Sequence, residues 1–230
     1  MKIAVISDIH SNLDSFDAVI KSLPEYDKLI CLGDTVGYGP QPNEVVERLI
    51  QLQPTIVLLG NHDHAVVTGD TSDFSQHAAV AVEWTRERIS QTNLAYLSHL
   101  QPSANIEIGG TSLALYHGSP RDPLAEYVYP GIPAASAKKL VHESGAQLVF
   151  LGHTHVPMLY SFEGEMLGNP GSVGQPRDGD PRASFAILTL TKEKLAFDLT
   201  RIEYNIDPVA KKIHQAGLPG FLADRLYTGM

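Results

Sequence analysis

The sequence predicts an α/β fold that begins as a parallel β-sheet. Short apolar runs recur along the chain, and a turn-forming or polar cluster follows each of them. Five such runs occupy residues 3–6, 29–32, 56–59, 113–116 and 148–151. Continuous apolar runs bounded by turn residues are typical of strands that are buried on both faces. Helical patterns separate the first three runs, and this βαβαβ order implies parallel strands with right-handed crossovers.

The segments that connect these runs carry their own patterns. Apolar residues recur at helical spacing over residues 13–23 and again over residues 43–52. Residues 64–102 then interrupt the alternation with two further helical patterns, over 76–89 and 92–99. We expect this segment to be a helical insertion that packs near the carboxyl ends of the strands.

The second half of the chain predicts strands joined by turns. Gly109 and Gly110 predict a hairpin between residues 105–108 and 111–116. After His155, strands are expected at 158–162, 165–167, 183–190 and 195–204, with a short helix at 208–215. This half is expected to form an antiparallel sheet. The length of 230 residues fits one domain, residues 1–230, with the insertion at about 64–102.

One cysteine and ten histidines are the most informative imbalance in the composition. A lone Cys31 cannot build a disulfide framework or a thiolate-rich zinc site, so nitrogen and oxygen ligands must hold any metal. A formal charge of −9 argues against broad nucleic-acid binding. No apolar run approaches the roughly 18 residues of a membrane span, and the run that ends before Ser7 is too short for a signal-peptide core. We therefore expect a cytoplasmic protein that binds no membrane.

Metal-ligating residue types follow the predicted strands, and in parallel sheets ligands collect at the carboxyl ends of strands. Asp8 and His10 form one i, i+2 pair, and His153 and His155 form another. Residues two apart on an extended chain point to the same side, so each pair can reach one ion.

Three further donors follow other strands. Asp34 succeeds Gly33, whose missing side chain leaves room for an ion or ligand against the backbone. Asn61 offers an amide oxygen, and His117 precedes a glycine. All seven donors together are enough for two six-coordinate ions that share a carboxylate and a water. Two metals about 3.5–4 Å apart are the usual arrangement for phosphoester hydrolysis by in-line displacement.

Each motif taken singly has a simpler explanation. Asp8, for example, could cap a helix that begins near Asn12. Five clusters at five strand ends together favour a metal site. Competing chemistries lack their motifs, because the chain has no Gly-x-Ser-x-Gly elbow, no Gly-x-x-x-x-Gly-Lys-Ser/Thr loop and no His-Glu-x-x-His helix.

The order of these motifs resembles that of the calcineurin-like metallophosphoesterase superfamily. The matching boxes are Asp8-Ile9-His10, Gly33-Asp34, Gly60-Asn61-His62-Asp63, His117-Gly118 and Gly152-His153-Thr154-His155. They fall within residues 3 to about 175. The resemblance implies a four-layer αββα sandwich with mixed sheets.

The resemblance also implies a role for each residue of the boxes. One ion would be held by Asp8, His10 and His155, the other by Asn61, His117 and His153, and Asp34 would bridge both. His62 would stabilise the phosphoryl oxygens or protonate the leaving oxygen, and Asp63 would orient its imidazole.

One box departs from part of the superfamily. Protein phosphatases and symmetrical diadenosine tetraphosphatases carry Asp-Arg-Gly where this chain has Gly37-Tyr38-Gly39. The departure argues against protein phosphatase activity and favours the small bacterial and archaeal phosphodiesterase branch. Contacts to the substrate are expected instead from Arg121, Arg177 or Arg182, and Tyr38 could stack on a base or simply close a turn.

Several other residues are expected to have no part in the chemistry. Four histidines lie in helical patterns and are expected at the surface or in packing: His77, His99, His142 and His214. Cys31 is expected in the core, and Trp84 is expected to pack rather than to bind substrate. His64 either supports the site or belongs to a turn.

The sequence thus predicts a metal-dependent phosphoric ester hydrolase, foremost a phosphodiesterase, in which a hydroxide bridging two divalent ions attacks phosphorus in line. The metals are chosen from manganese, iron, zinc, cobalt and nickel. The substrate is a small phosphate ester, with a nucleotide among the alternatives. Three other functions stay open: dinucleoside polyphosphate hydrolase, phosphomonoesterase, and a non-catalytic metal-binding scaffold. The oligomeric state also stays open, a homo-oligomer included.

Overall fold

The computed structural model describes residues 1–191 and 194–230 as two five-stranded β-sheets flanked by helices. The strands are β1 Lys2–Ile6, β2 Lys28–Cys31, β3 Ile56–Val57, β4 Ser103–Ile108, β5 Thr111–Tyr116, β6 Leu148–Leu151, β7 Met158–Ser161, β8 Met166–Asn169, β9 Ala183–Leu190 and β10 Leu195–Ile202. The helices are α1 Leu13–Ser22, α2 Pro42–Gln51, α3 Asn61–Thr68, α4 Gln76–Arg86, α5 Gln91–Ser98, α6 Ala134–Ser144, α7 Ile206–Gln215 and α8 Phe221–Thr228.

The first sheet contains the predicted βαβαβ start. Its strand order is β10-β9-β1-β2-β3. Strand β1 is parallel to β2, with Ile3 opposite Lys28, and β2 is parallel to β3. Strand β9 lies antiparallel on the other side of β1 and pairs with β10. The sheet is therefore mixed.

The second sheet has the order β4-β5-β6-β8-β7. Strands β4 and β5 form the predicted antiparallel hairpin, and β7 and β8 are also antiparallel. The expectation of one antiparallel sheet after His155 is wrong, because β8 pairs in parallel with β6 and the later strands β9 and β10 join the first sheet. Local alternation indicates strands, but it does not say which sheet they extend.

Three apolar clusters separate the layers of the fold. The central one joins the two sheets, where the rings of Phe150 and Phe197 stack at 4.7 Å between centroids. Helices α1 and α2 cover the outer face of the first sheet with side chains such as Phe16 and Val45. Helix α6 covers the outer face of the second sheet, where Leu140 is among the buried residues. The predicted four-layer αββα sandwich is thus confirmed.

Helices α3, α4 and α5 follow β3 and pack together at the edge of the first sheet. The two helices predicted for residues 64–102 are confirmed as α4 and α5, and with α3 they pack around Val36 and Val46. The predicted carboxyl-terminal helix is confirmed as α7, whereas α8 follows it without having been predicted. Trp84 packs beside these helices and donates its indole N–H to the Ala216 carbonyl at 2.9 Å.

Within the described ranges, no helix has the length and apolar content needed to span a membrane.

Candidate metal centre

The polar clusters at the strand ends meet at one place between the two sheets. All seven donors predicted from the sequence lie there, and the structure forms two groups from six of them. The first group contains Asp8, His10, Asp34 and His155, and the second contains Asp34, His117 and His153; ligand atoms within each group lie within 4.8 Å of one another. The seventh donor, Asn61, places its Oδ1 3.1 Å from His117 Nε2.

Asp34 belongs to both groups through a single oxygen. Its Oδ2 lies 3.5 Å from His10 Nε2 and 3.4 Å from His117 Nε2. Its other oxygen, Oδ1, accepts the main-chain N–H of His62 at 2.8 Å, which fixes the carboxylate plane. Oδ2 itself lacks a hydrogen-bond partner although it is buried. This oxygen is therefore placed and free to bridge two cations.

Main-chain carbonyls hold the four imidazoles by one nitrogen each. The contacts are His10 Nδ1 to Val36 at 3.1 Å, His117 Nδ1 to Leu32 at 2.8 Å, His155 Nδ1 to Gln175 at 2.5 Å and His153 Nε2 to Ala125 at 3.1 Å. Metal-ligating histidines usually donate their second ring N–H in this way, which leaves the remaining nitrogen free for the ion.

A close contact within the first group joins two histidine nitrogens. His10 Nε2 and His155 Nε2 lie 3.0 Å apart, and in both rings the other nitrogen faces a carbonyl. Burial holds the pKa of both imidazoles well below the usual range, so both are neutral and turn bare lone pairs toward each other. Asp8 Oδ1 also faces this point, 3.4 Å from His155 Nε2, without a hydrogen-bond partner. A proton on one of these nitrogens or a cation between them would relieve this repulsion, and the nitrogen and oxygen donors suit a divalent transition metal.

The pKa of His117 also depends on a neighbouring group of the cluster. Burial acts to lower its pKa, but the adjacent Asp34 carboxylate outweighs burial and raises the pKa to about 9. Its Nδ1 faces the Leu32 carbonyl and its Nε2 faces oxygens of Asn61 and Asp34. Both ring nitrogens therefore donate when no ion is bound, and the imidazolium charge takes the place of a metal charge.

The two aspartates are driven apart in acidity. Burial and then the Asp34 charge raise the pKa of Asp8 to about 7, although His117 opposes this. Burial also acts against ionisation of Asp34, yet the positive charge on His117 keeps its pKa well below the usual range. Desolvated carboxylates that share a site behave in this way unless cations neutralise them.

The backbone that carries the ligands is left-handed rather than extended. The φ angles of five ligand residues are positive: Asp8 56°, His10 50°, Asp34 52°, His153 67° and His155 60°. The two i, i+2 pairs therefore do not lie on extended backbone, and the prediction of an extended chain at these positions is wrong. Both pairs nevertheless reach the cluster. Such conformations are uncommon outside glycine and gather at functional sites.

Gly33 has a role different from the one expected. A Cβ added there would lie 2.8 Å from both the Gly60 main-chain nitrogen and His117 Nδ1. The missing side chain thus makes room for a neighbouring loop and for the His117 ring, not for an ion or ligand against the backbone.

The expectation that Asp63 orients the His62 imidazole is also not met. The Asp63 carboxylate accepts main-chain N–H groups of Thr35 at 3.2 Å, Val36 at 2.9 Å and Gly60 at 3.0 Å. The buried Nδ1 of His62 has no hydrogen-bond partner. Asp63 therefore connects the loop after β2 to the start of α3 by hydrogen bonds. It positions the segments that contain Asp34 and Asn61 rather than the His62 imidazole.

Packing against rings, not a carboxylate, orients His62. Its ring centroid lies 4.2 Å from Tyr38, 4.7 Å from Phe74 and 4.9 Å from His10. Gly37 makes this arrangement possible, because a Cβ there would lie 2.6 Å from His62 Nδ1. Burial lowers the pKa of His62 to about 4, so the ring is neutral at pH 7.

A cavity of about 600 Å³ opens beside the metal ligands. Asn61, His62 and His153 line it together with two residues expected to contact substrate, Tyr38 and Arg177. Arg177 donates to the Tyr38 hydroxyl at 3.2 Å. The Gly37-Tyr38-Gly39 segment therefore lacks its own arginine but holds one that comes from another loop.

The other two arginines considered for substrate contact lie elsewhere. Arg121 is paired with Glu143 at 2.8 Å and Glu126 at 3.6 Å and does not line the cavity. Arg182 is paired with Asp180 at 2.7 Å. Arg121 is therefore not expected to contact the substrate, because surface carboxylates already bind its guanidinium.

Several residues of the cavity were not predicted from the sequence, Arg225 and Tyr127 among them. Arg225 reaches it from α8, and Tyr127 stacks on His153 with 3.7 Å between ring centroids. Neither residue follows a strand or belongs to a motif, so no local signal marks it. His64, whose role was open, also lines the cavity.

The fold and this cluster define a metal-dependent hydrolase. The sequence model of the calcineurin-like phosphoesterase superfamily domain matches residues 1–193, and the chain belongs to this family. It is therefore a metal-dependent phosphoric ester hydrolase, and its family acts on small phosphate esters.

Relatives extend this similarity over the whole chain. Protein MJ0912 of Methanocaldococcus jannaschii is 37% identical, with 99% of this chain and 98% of that protein covered. The crystal structure of a metallophosphoesterase from Sphaerobacter thermophilus is 36% identical, with a TM-score of 0.85 and both chains fully covered. Phosphodiesterase YfcE of Escherichia coli is 26% identical over 82% of this chain and 87% of its own.

Proposed function

We propose that this protein is a phosphodiesterase that works with two divalent ions. Asp8, His10 and His155 would hold one ion, and Asn61, His117 and His153 the other. The observation that carries the proposal is Asp34 Oδ2, a buried oxygen without a hydrogen-bond partner that faces a ligand nitrogen of each group. Ions of this kind polarise phosphoryl oxygens and lower the pKa of water, which supplies a nucleophile at neutral pH.

His62 is the protein group best placed to act on the ester itself. It lines the cavity next to Asn61. As a neutral ring it donates one hydrogen bond to a phosphoryl oxygen. The negative charge of a bound ester would raise its pKa, because a nearby opposite charge favours the protonated form, and would let it protonate the leaving oxygen.

Tyr38 and Arg177 would position the substrate. The Arg177 guanidinium donates to Gln175 Oε1 at 3.0 Å and to Tyr38, while its buried Nε has no partner. A guanidinium with unused donors in a cavity suits a phosphate oxygen. Arg121 is left out of this part of the proposal because of its carboxylate partners.

Two observations favour a diester over a phosphomonoester. YfcE, which this chain resembles over most of its length, is named a phosphodiesterase. The cavity of about 600 Å³ also leaves room for a group on each side of the phosphorus, whereas a phosphomonoester needs less room.

The test is a panel of esters on metal-loaded protein. Protein treated with a chelator is resupplied in turn with manganese, iron, zinc, cobalt or nickel, and phosphodiesters, phosphomonoesters, cyclic nucleotides and dinucleoside polyphosphates are assayed. We expect diesters to be hydrolysed faster than phosphomonoesters and all hydrolysis to disappear with the chelator. Hydrolysis of none of these esters with any metal would overturn the proposal, and protein that takes up no metal would favour a scaffold.

A further inference from the structure

Two arginines from distant parts of the chain meet over one tyrosine. Arg177 comes from the loop after β8 and Arg225 from α8, and their Cζ atoms lie 5.5 Å and 5.9 Å from the centroid of the Tyr38 ring. Both side chains line the cavity beside the metal ligands. Both guanidinium groups therefore lie near one ring, and both side chains are half-buried.

Neither guanidinium forms an ion pair with a side-chain carboxylate of the described residues. Five other arginines do so: Arg48, Arg88, Arg121, Arg182 and Arg201. Arg177 uses only neutral acceptors and keeps a buried Nε without a partner. Arg225 donates through Nε to the main-chain oxygen of Met230, and its terminal nitrogens donate to no described residue.

The cost of this arrangement is visible in Arg225. Burial, and then the charge of Arg177, lower its pKa to about 10. Partly buried like charges destabilise a fold unless an anion compensates them. Guanidinium groups bind phosphate oxygens through paired N–H donors, so a phosphate is the natural compensating group.

The pair lies one ring away from the metal ligands. The Tyr38 ring centroid is 4.8 Å from that of His10 and 4.2 Å from that of His62. Both arginines line the same cavity as Asn61 and His153. A substrate with one phosphate at these candidate ligands could therefore place a second phosphate at the guanidinium groups.

We infer that Arg177 and Arg225 form a subsite for a second phosphate group of the substrate. The inference rests on the proposed function and narrows it: the preferred substrate is a phosphate ester that carries another phosphate beside the scissile one, as in a nucleoside polyphosphate. A simple diester would leave the pair uncompensated.

Binding of inorganic pyrophosphate and inorganic phosphate tests the subsite directly. Both anions are titrated calorimetrically into manganese-loaded protein freed of excess metal, with metal content measured again afterwards, and into chelator-treated protein. We expect pyrophosphate to bind at least about tenfold more tightly than phosphate, because hydrogen bonds to charged groups are stronger than those between neutral groups. In Arg225→Gln this ratio should fall to about threefold or less.

Two further variants complete the comparison. Arg48→Gln is the matched control, since Arg48 pairs with Asp17 on the outer helices and does not line the cavity. Arg225→Lys keeps the positive charge but loses the paired N–H donors of the guanidinium, and it should give an intermediate ratio of pyrophosphate to phosphate affinity. This variant also replaces Arg225→Gln in the comparison if Arg225→Gln does not fold. Equal weakening of phosphate and pyrophosphate in Arg225→Gln, or no weakening of either, overturns the inference.

Kinetics separate this inference from the proposed function. For wild-type protein and Arg225→Gln, kcat/KM is compared between bis(p-nitrophenyl) phosphate and a dinucleoside tetraphosphate. We expect the loss on the tetraphosphate to exceed the loss on the simple diester at least about tenfold. If wild-type protein hydrolyses neither, the proposed function fails, whereas the pyrophosphate titration still decides on the subsite.

Discussion

Replacing Gly60 by alanine would push directly on the carboxylate that the two ligand groups share. The backbone of Gly60, with φ −88° and ψ 170°, suits any residue, so no conformational strain arises. A Cβ at this position, however, would lie 2.0 Å from Asp34 Oδ1 and 2.2 Å from the Asp34 main-chain nitrogen. Rotation of the Asp34 side chain cannot relieve the second contact, so the two loops must move apart.

The size of the effect follows from these distances. Ordinary contact begins at 3.4 Å, so Asp34 Oδ1 has to retreat by about 1.4 Å. Overpacking of this kind costs about 1–3 kcal/mol, and the reduced freedom of the unfolded chain returns only about 0.4–1 kcal/mol. We expect the free energy of unfolding to fall by about 1–2 kcal/mol. Displacement of a reactive group by about 1 Å lowers turnover about a hundredfold.

Three measurements on one pair of variants check this reasoning. Urea unfolding of chelator-treated protein gives the steric cost, mass spectrometry of the loaded protein gives the metal content, and diester hydrolysis gives turnover. The matched control is Gly220→Ala, since Gly220 already has helical angles and its added Cβ would lie 3.5 Å from the nearest atom, in His214. Full metal content and turnover in Gly60→Ala, or equal damage in Gly220→Ala, would refute the argument.

Other expected outcomes concern single ligands and contacts. Asp34→Ala should lose both metals, while His62→Ala should keep them and lose turnover; mass spectrometry and hydrolysis assays distinguish the two, and unchanged metal content in Asp34→Ala would contradict the shared role. Because the pKa of His117 is raised to about 9 by Asp34 despite burial, metal uptake must displace its proton, so affinity should rise about tenfold per pH unit up to about pH 9. Calorimetry in buffers of different ionisation enthalpy would detect the released proton. Metal binding without proton release would contradict this prediction. Arg121→Ala should change kcat/KM less than about twofold, since surface ion pairs contribute little; a large loss would restore Arg121 to the site.

The clustering of the candidate ligands was predictable from sequence because its signal is local. Each one follows an apolar run at the end of a strand, and parallel strands deliver their carboxyl ends to a common edge. Asp8, Asp34 and His117 needed no more information than this. The layers followed from the resemblance, since the apolar faces of two sheets and their helices have one common solution in this family.

The parts that escaped prediction depend on contacts between distant segments. The left-handed backbone at Asp8 accompanies contacts with distant loops, because its N–H donates to the Gly33 carbonyl at 3.0 Å and its carbonyl accepts the Gly174 N–H at 2.9 Å. The N–H of His153, which is also left-handed, donates to Asp8 Oδ2 at 3.2 Å. Asp63 stands in a family box, yet only the fold shows that its partners are main-chain N–H groups. Arg225 lies on a helix whose outward pattern does not reveal that one of its side chains turns into the cavity. The assignment of β8 to a parallel pair likewise depends on β6, which its own sequence does not encode.

The division of the ligands between the two sheets links metal uptake to the order of folding. Asp8, His10 and Asp34 follow strands of the first sheet, whereas His117, His153 and His155 follow strands of the second. Each ligand group takes members from both, so a nascent chain with only its first hundred or so residues folded holds no complete coordination sphere. An ion held by either group would therefore need both sheets in place, so its binding is expected to follow their docking.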